Sequence, residues 1–131
     1  MLYNMAILSA DVYKEMILDL YKNPLHRGVL DPCDVWHRDG SMFCGDDITI
    51  FIRFGKGKII EDISHSGHGC AISQAAVSLL TEHVKKKTKD DALHITNEQM
   101  VAMLGIPISP ARMGCALLGL KALRGALEKE T

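Results

Sequence analysis

A chain of 131 residues suits one compact domain, spanning 1–131, and is long enough to bury a real core. Its apolar fraction of 47% and charged fraction of 24% are those of a soluble globular protein, and a net charge of −1 with dispersed Lys and Arg excludes a basic footprint for nucleic acid. No apolar run approaches the ~20 residues of a membrane span. Met1 to Leu8 is apolar but has neither a basic n-region nor an adequate h-region, so no signal peptide is expected. A cytoplasmic protein with reduced thiols follows, in which four Cys point to metal or thiol chemistry more readily than to disulfides.

Ser9 is placed to cap a first helix over Ala10 to Lys22, with Tyr13, Met16, Ile17 and Leu20 on one face. Asn23-Pro24 stops it. The stretch from Leu25 to Met42 is irregular, with a short strand around Asp34 to His37. Asp47 to Phe54 alternates, with Ile48, Ile50, Ile52 and Phe54 facing one way. Gly55-Lys56-Gly57 then turns the chain into a returning strand over Lys58 to Ser64. A central helix from about Cys70 to Lys86 is marked by Ala71/Ile72, Ala75/Ala76 and Leu79/Leu80 recurring every four residues. Lys85-Lys86-Lys87 reads as a solvated cap opposing the dipole at its end. Asn97 is expected to cap a short helix to Leu104, ended by Gly105 and Pro107, and Ser109-Pro110 to open a last helix. That helix carries Met113, Ala116, Leu117, Leu120, Leu123 and Leu127 on its apolar face. The fold class is α+β: a small antiparallel sheet covered by helices.

Cys70 falls where the central helix starts. The unpaired N–H groups and positive dipole end found there favour a thiolate, and the flanking Gly67 and Gly69 let the backbone turn tightly. A reactive or metal-binding sulfur and a small buried Cys packing a helix start are both open on this stretch. Cys44-Gly45-Asp46 precedes the first clear strand. As residues i and i+2 of a strand, Cys44 and Asp46 would project to one side. Cys115 lies in the opening turns of the last helix. Thiolates with a carboxylate hold Zn²⁺ tetrahedrally, and thiolates hold iron–sulfur clusters. No CxxC occurs, and on spacing alone scattered core cysteines are the simpler reading.

The segments CGD at 44–46, GHGCAIS at 67–73 and Pro110-Ala-Arg-Met-Gly-Cys115 with Ala-Leu-Leu after it resemble the iron–sulfur cluster assembly proteins of the IscU/SufU (NifU N-terminal-like) family. The resemblance spans nearly the whole chain, including its helix–hairpin–helix order. It implies that Cys44, Asp46, Cys70 and Cys115 are metal ligands, with Cys44, Cys70 and Cys115 carrying a transient [2Fe-2S] cluster. It further implies that persulfide sulfur is accepted from a pyridoxal-phosphate (PLP) cysteine desulfurase and relayed to apo iron–sulfur proteins or other assembly factors, and that zinc is often held by the same residues. The implied role is a scaffold and sulfur acceptor without substrate turnover of its own, not an enzyme. The alternatives are a zinc-dependent sulfurtransferase partner that activates the desulfurase without holding a cluster, and a structural zinc domain for protein binding.

Gly-Cys-Ala-Ile-Ser and Arg112 look like the SufU branch, whereas the 44 residues between Cys70 and Cys115 are closer to the IscU spacing. Gly114 stands where the IscU branch has a His and SufU proteins tend to have a basic residue. The chaperone-recognition stretch appears only as Ile108-Ser109-Pro110-Ala111-Arg112. Asp46 offers a hard oxygen beside soft sulfurs and is expected to be the more exchangeable arm. Cys115 and Cys44 are the candidate sulfur acceptors. Arg112 is placed either to stabilise anionic sulfur or simply to be solvated. Cys33 reads as a packing or surface thiol, and Trp36 and the Met residues as core or interface packing. His65 and His68 are candidates for ligation or proton relay, with hydrogen-bonded loop histidines the favoured alternative. Asp47 reads as a solvated strand start, with weak substitution in coordination as the alternative, while His26, His37, His83 and His94 have no recognisable ligand spacing.

Overall fold

The structure, a computed structural model, describes residues 10–41 and 45–130. Ser9, Cys44 and the Met1–Leu8 segment lie outside the described residues. Helix α1 (Ala10–Lys22) leads into an antiparallel sheet of β1 (Val35–Gly40), β2 (Asp47–Phe54) and β3 (Ile60–His68), in the order β1-β2-β3. Helices α2 (Ala71–Val84), α3 (Lys89–Leu93), α4 (Asn97–Leu104) and α5 (Pro110–Glu128) follow. This is the α+β class with the helices on one face of the sheet.

The alternation expected for β2 decides which face that is. Ile48, Ile50 and Ile52 are fully buried, and opposite them on β3 stand Gly67, His65 and Ile63. Against this face lie α5, which touches β1 and β2, and α2, which touches β3. On α1 the predicted face holds, with Ile17 and Leu20 buried against α2. The last helix is apolar over more of its circumference than its main stripe suggests. Leu118, Ala122 and Ala126 are buried along with Ala116, Leu120, Leu123 and Leu127, because α5 lies between the sheet and helices α2 and α4. Gly119 and Gly125 permit that closeness: a Cβ on Gly125 would overlap the His37 ring, and one on Gly119 would lie 3.0 Å from Val77 Cβ.

Several boundaries differ from the sequence expectations. β1 runs on to Gly40 and β3 to His68, each extended by pairing with β2 (Gly40 and His68 both face Asp47). α2 ends at Val84, with Lys86 in a left-handed conformation and Lys85 near Asp62 (3.6 Å). α3 is an additional helix, capped by Thr88, whose hydroxyl accepts from Asp91 N at 3.1 Å. The cap of α4 is Thr96, not Asn97: Thr96 and Gln99 form a reciprocal capping box. Ser109 does occupy the N-cap of α5 with Pro110 next, but its side chain makes no capping bond. Trp36 is not core. It lies on the outer face of β1, 53% exposed, with the Lys129 ammonium 5.1 Å over its ring.

Candidate metal centre

Three of the four predicted ligands meet. One ligand atom from each of Asp46, Cys70 and Cys115 lies within 4.8 Å of the others. Cys115 is buried (1% exposed) and Asp46 nearly so (7%), while Cys70 is half-buried. The fourth, Cys44, lies outside the described residues.

Each ligand reaches this point from the end of an element. Asp46 closes the β1–β2 connection, where Ser41 N donates to Asp46 O (2.8 Å) and Gly45 N to Ser41 O (3.1 Å). The strand argument for Cys44 and Asp46 does not hold, because β2 begins only at Asp47 and Gly45 has φ +67°. Asp46 is aimed by that turn, not by strand alternation. Cys70 is the N-cap of α2, as its sequence context implied, but its own side chain does not cap. The Asp46 carboxylate stands in for it, accepting from Cys70 N at 3.2 Å at the positive end of the helix. Ser73 Oγ donates to Cys70 O (3.1 Å) and steadies the first turn. Cys115 projects inward from the second turn of α5.

Two glycines make the turn before Cys70 possible. Gly67 has φ +118°, and a Cβ there would overlap the carbonyl of Asp47. A Cβ on Gly69 would overlap Ser73 Oγ and lie 3.2 Å from Asp46 Cγ, so only a bare Cα lets the carboxylate approach the helix start. Two thiols and a carboxylate at this separation fit a borderline-soft ion in a tetrahedral site, with room in the donor count for a further ligand.

The other candidates are placed elsewhere. Arg112 is exposed in the first turn of α5, its main-chain N bonded to Ser109 O. Cys33 is half-buried, and among the described residues it does not join the group of Asp46, Cys70 and Cys115. His65 is not a loop histidine. It sits on the core face of β3 and is 1% exposed. Its Nε2 bonds the Leu25 carbonyl at 2.7 Å, and burial above all pushes its pKa down to about 4. His68 is exposed at the end of β3, its main-chain N–H donating to Asp47 Oδ1, so Asp47 is engaged at the sheet end rather than simply solvated. His26 pairs with Glu82 (2.8 Å), 56 residues away, and His37 with Asp39 (3.0 Å), two residues on along β1. Two residues that flank the Cys70 turn escaped the sequence reading: Arg27 and Gln74. The available signal was Gln74 itself, a polar residue set among Ala71, Ile72, Ala75 and Ala76 and 4% exposed.

A three-stranded sheet covered by helices, with two thiols and a carboxylate gathered at one point, is an α+β domain with a group that could hold a metal ion. The chain belongs to the family of NifU-like N terminal domains, whose model matches residues 12–130. It is 34% identical over 118 residues to the iron-sulfur cluster assembly scaffold protein IscU of Haemophilus influenzae, covering 88% of this chain and 92% of that one. To the zinc-dependent sulfurtransferase SufU of Bacillus subtilis it is 32% identical over 136 residues, 91% of each chain. Its fold matches the crystal structure of FiSufU from Fervidobacterium islandicum AW-1 with a TM-score of 0.74 at 27% identity, over 92% of this chain and 99% of that one. No helix among the described residues is long and apolar enough to cross a membrane.

Proposed function

We propose that this chain, acting as a single domain in the cytoplasm, is a scaffold and sulfur acceptor for iron–sulfur cluster assembly, without substrate turnover of its own. The observation that carries this is the meeting of Asp46, Cys70 and Cys115 within 4.8 Å, in a chain similar to proteins named for that task. A PLP-dependent cysteine desulfurase presents a persulfide. A thiolate of Cys115 or Cys44 attacks its outer sulfur, the S–S bond breaks, and the desulfurase cysteine leaves as a thiolate. Two electrons from an external donor, a thiol or a one-electron redox protein, cleave the S–S bond of the new persulfide, which returns the cysteine as a thiolate and releases sulfide. Two such rounds supply the sulfides of a nascent [2Fe-2S] cargo held by Cys44, Cys70 and Cys115, which passes to apo iron–sulfur proteins. Zinc bound at the same residues, when present, keeps the sulfurs deprotonated. Cys115 is buried, so it must be uncovered before it accepts sulfur. Asp46, the one oxygen donor, is the arm that lets go.

Anaerobic reconstitution with iron, cysteine, a desulfurase and a thiol reductant tests this. A visible sulfur-to-iron charge-transfer spectrum is expected, and it is lost in Cys70→Ala and in Cys115→Ala. A colourless product that holds only zinc contradicts the scaffold role. The similarity to a protein named zinc-dependent sulfurtransferase supports a second reading, in which the zinc form relieves the desulfurase of its persulfide and no cluster forms. Stimulated desulfurase turnover with no chromophore decides for it.

A further inference from the structure

The turn that presents Cys70 is gripped from outside. Arg27 lies in the connection between α1 and β1, and that connection is pinned to the core. Gly28 N donates to His65 O (2.8 Å) and His65 N to His26 O (3.0 Å). Leu25 is tied at both main-chain groups, its carbonyl to His65 Nε2 (2.7 Å) and its N–H to Ser78 Oγ on α2 (3.2 Å).

From this fixed base the Arg27 guanidinium makes two bonds. Nη1 donates to Gln74 Oε1 and Nη2 to the Gly67 carbonyl, both at 2.9 Å. Gly67 lies three residues before Cys70 and Gln74 one helical turn after it. One rigid planar fork therefore joins the strand end entering the turn to the helix leaving it. With its oxygen held by Arg27, the Gln74 amide turns its nitrogen towards Gly69. A Cβ on Gly69 would lie 3.0 Å from Gln74 Nε2 and 3.2 Å from Asp46 Cγ, so the amide and the carboxylate both border the space over one bare Cα. Arg27 thus ties the two ends of the Cys70 turn through Gly67 and Gln74, and Asp46 is bonded to the same turn at Cys70 N.

We propose that Arg27 and Gln74 are positioning residues for the metal centre, fixing Cys70 and Asp46 in their mutual geometry and setting how tightly the centre holds its ion. This rests on the reading that the centre binds metal. Partners one layer outside a metal's ligands set affinity by fixing ligand orientation, and their loss costs about 10–100-fold in binding. A guanidinium is required because a lysine ammonium keeps the charge but lacks the fork that spans two acceptors. Arg27 is exposed, on the wall of an open cavity of about 410 Å³ with Lys22 and His68, so a lysine there is sterically harmless.

The test is the Co²⁺ affinity of the purified full chain, read from the thiolate-to-cobalt absorption and checked for Zn²⁺ by chelator competition. Arg27→Lys and Gln74→Met each bind about 10–100-fold more weakly, and the double variant is no weaker than the poorer single within about twofold, because both break one linkage. Affinities of both single variants within about twofold of wild type overturn the proposal, as does a double variant showing the product of the two losses. Should Gln74→Met fail to fold, Arg27→Lys at its exposed position decides alone. No desulfurase enters the measurement. A wild-type chain that binds Co²⁺ tightly but neither assembles a cluster nor stimulates a desulfurase ends the proposed function and leaves the clamp intact. Unchanged affinity in the variants of a working scaffold ends the clamp only.

Discussion

The main-chain N–H of Cys70 donates to the carboxylate of Asp46 at 3.2 Å, so the proposed oxygen ligand also anchors the start of the helix that follows Cys70. Asp46→Ala therefore removes two things at once. Losing a carboxylate that accepts from the N-cap main-chain N–H costs about 1 kcal/mol of stability in the metal-free protein, measurable by urea unfolding. Losing the exchangeable oxygen leaves the thiolates in place, so a reconstituted cluster stays bound and its transfer to an apo-protein slows. Unchanged transfer kinetics count against Asp46 as the releasing arm, and an unchanged unfolding midpoint counts against the anchor.

His65 makes stability depend on pH. Its Nε2 donates to Leu25 O while Nδ1 is buried without a hydrogen-bond partner among the described residues, so a second ring proton would put a charge in the core with no described group to accept it. Its pKa is lowered from 6.5 to about 4, so between those values the unfolded chain binds a proton that the folded chain refuses. Stability is thus complete above about pH 6.5 and falls as pH drops towards 4, by about 2 kcal/mol at pH 5 and about 3 kcal/mol in all. Urea unfolding of wild type and His65→Gln at pH 7 and pH 5 checks this. Wild type loses about 2 kcal/mol more than the variant, and equal losses remove His65 as the cause.

Two glycines should respond in opposite directions to alanine. Gly105 closes α4 with φ +70°, and a Cβ there would run into the Tyr13 ring. Gly105→Ala lowers stability by more than about 1 kcal/mol. Gly114 lies inside α5 and no described residue comes within 4 Å of an added Cβ, so Gly114→Ala raises stability by about 0.5–1 kcal/mol through helix propensity. Thermal unfolding of the two variants shows the signs, and a destabilised Gly114→Ala contradicts the open space.

Much of the fold was legible where one periodicity ran unbroken. Ile48, Ile50 and Ile52 specified a half-buried strand, and Ile17 and Leu20 the inward face of α1. The second half of β3 carries His65, Ser66, Gly67 and His68, which have little intrinsic preference for a strand. Pairing with β2 on one side and contact with Gly28 on the other hold it extended. α3 is five residues of largely polar sequence, too short to show a helical period. The centre was legible only in part. Nothing in the distance between Cys70 and Cys115 requires them to meet, and the resemblance to a family, not the spacing, supplied that expectation. The Asp46 turn depends on a positive φ at Gly45 that alternation cannot report. The Arg27–Gln74 bond spans 47 residues and leaves no local trace.

The central claim is that Asp46 and the two cysteines grip one ion, and X-ray absorption at the zinc edge of the zinc-loaded chain tests it directly. Wild type is expected to show sulfur neighbours at about 2.3 Å with one oxygen or nitrogen shell at about 2.0 Å. Asp46→Ala is expected to weaken the oxygen shell alone, and Cys115→Ser to remove one sulfur. A wild-type spectrum with no sulfur neighbours, or spectra of the two variants identical to it, would contradict the account.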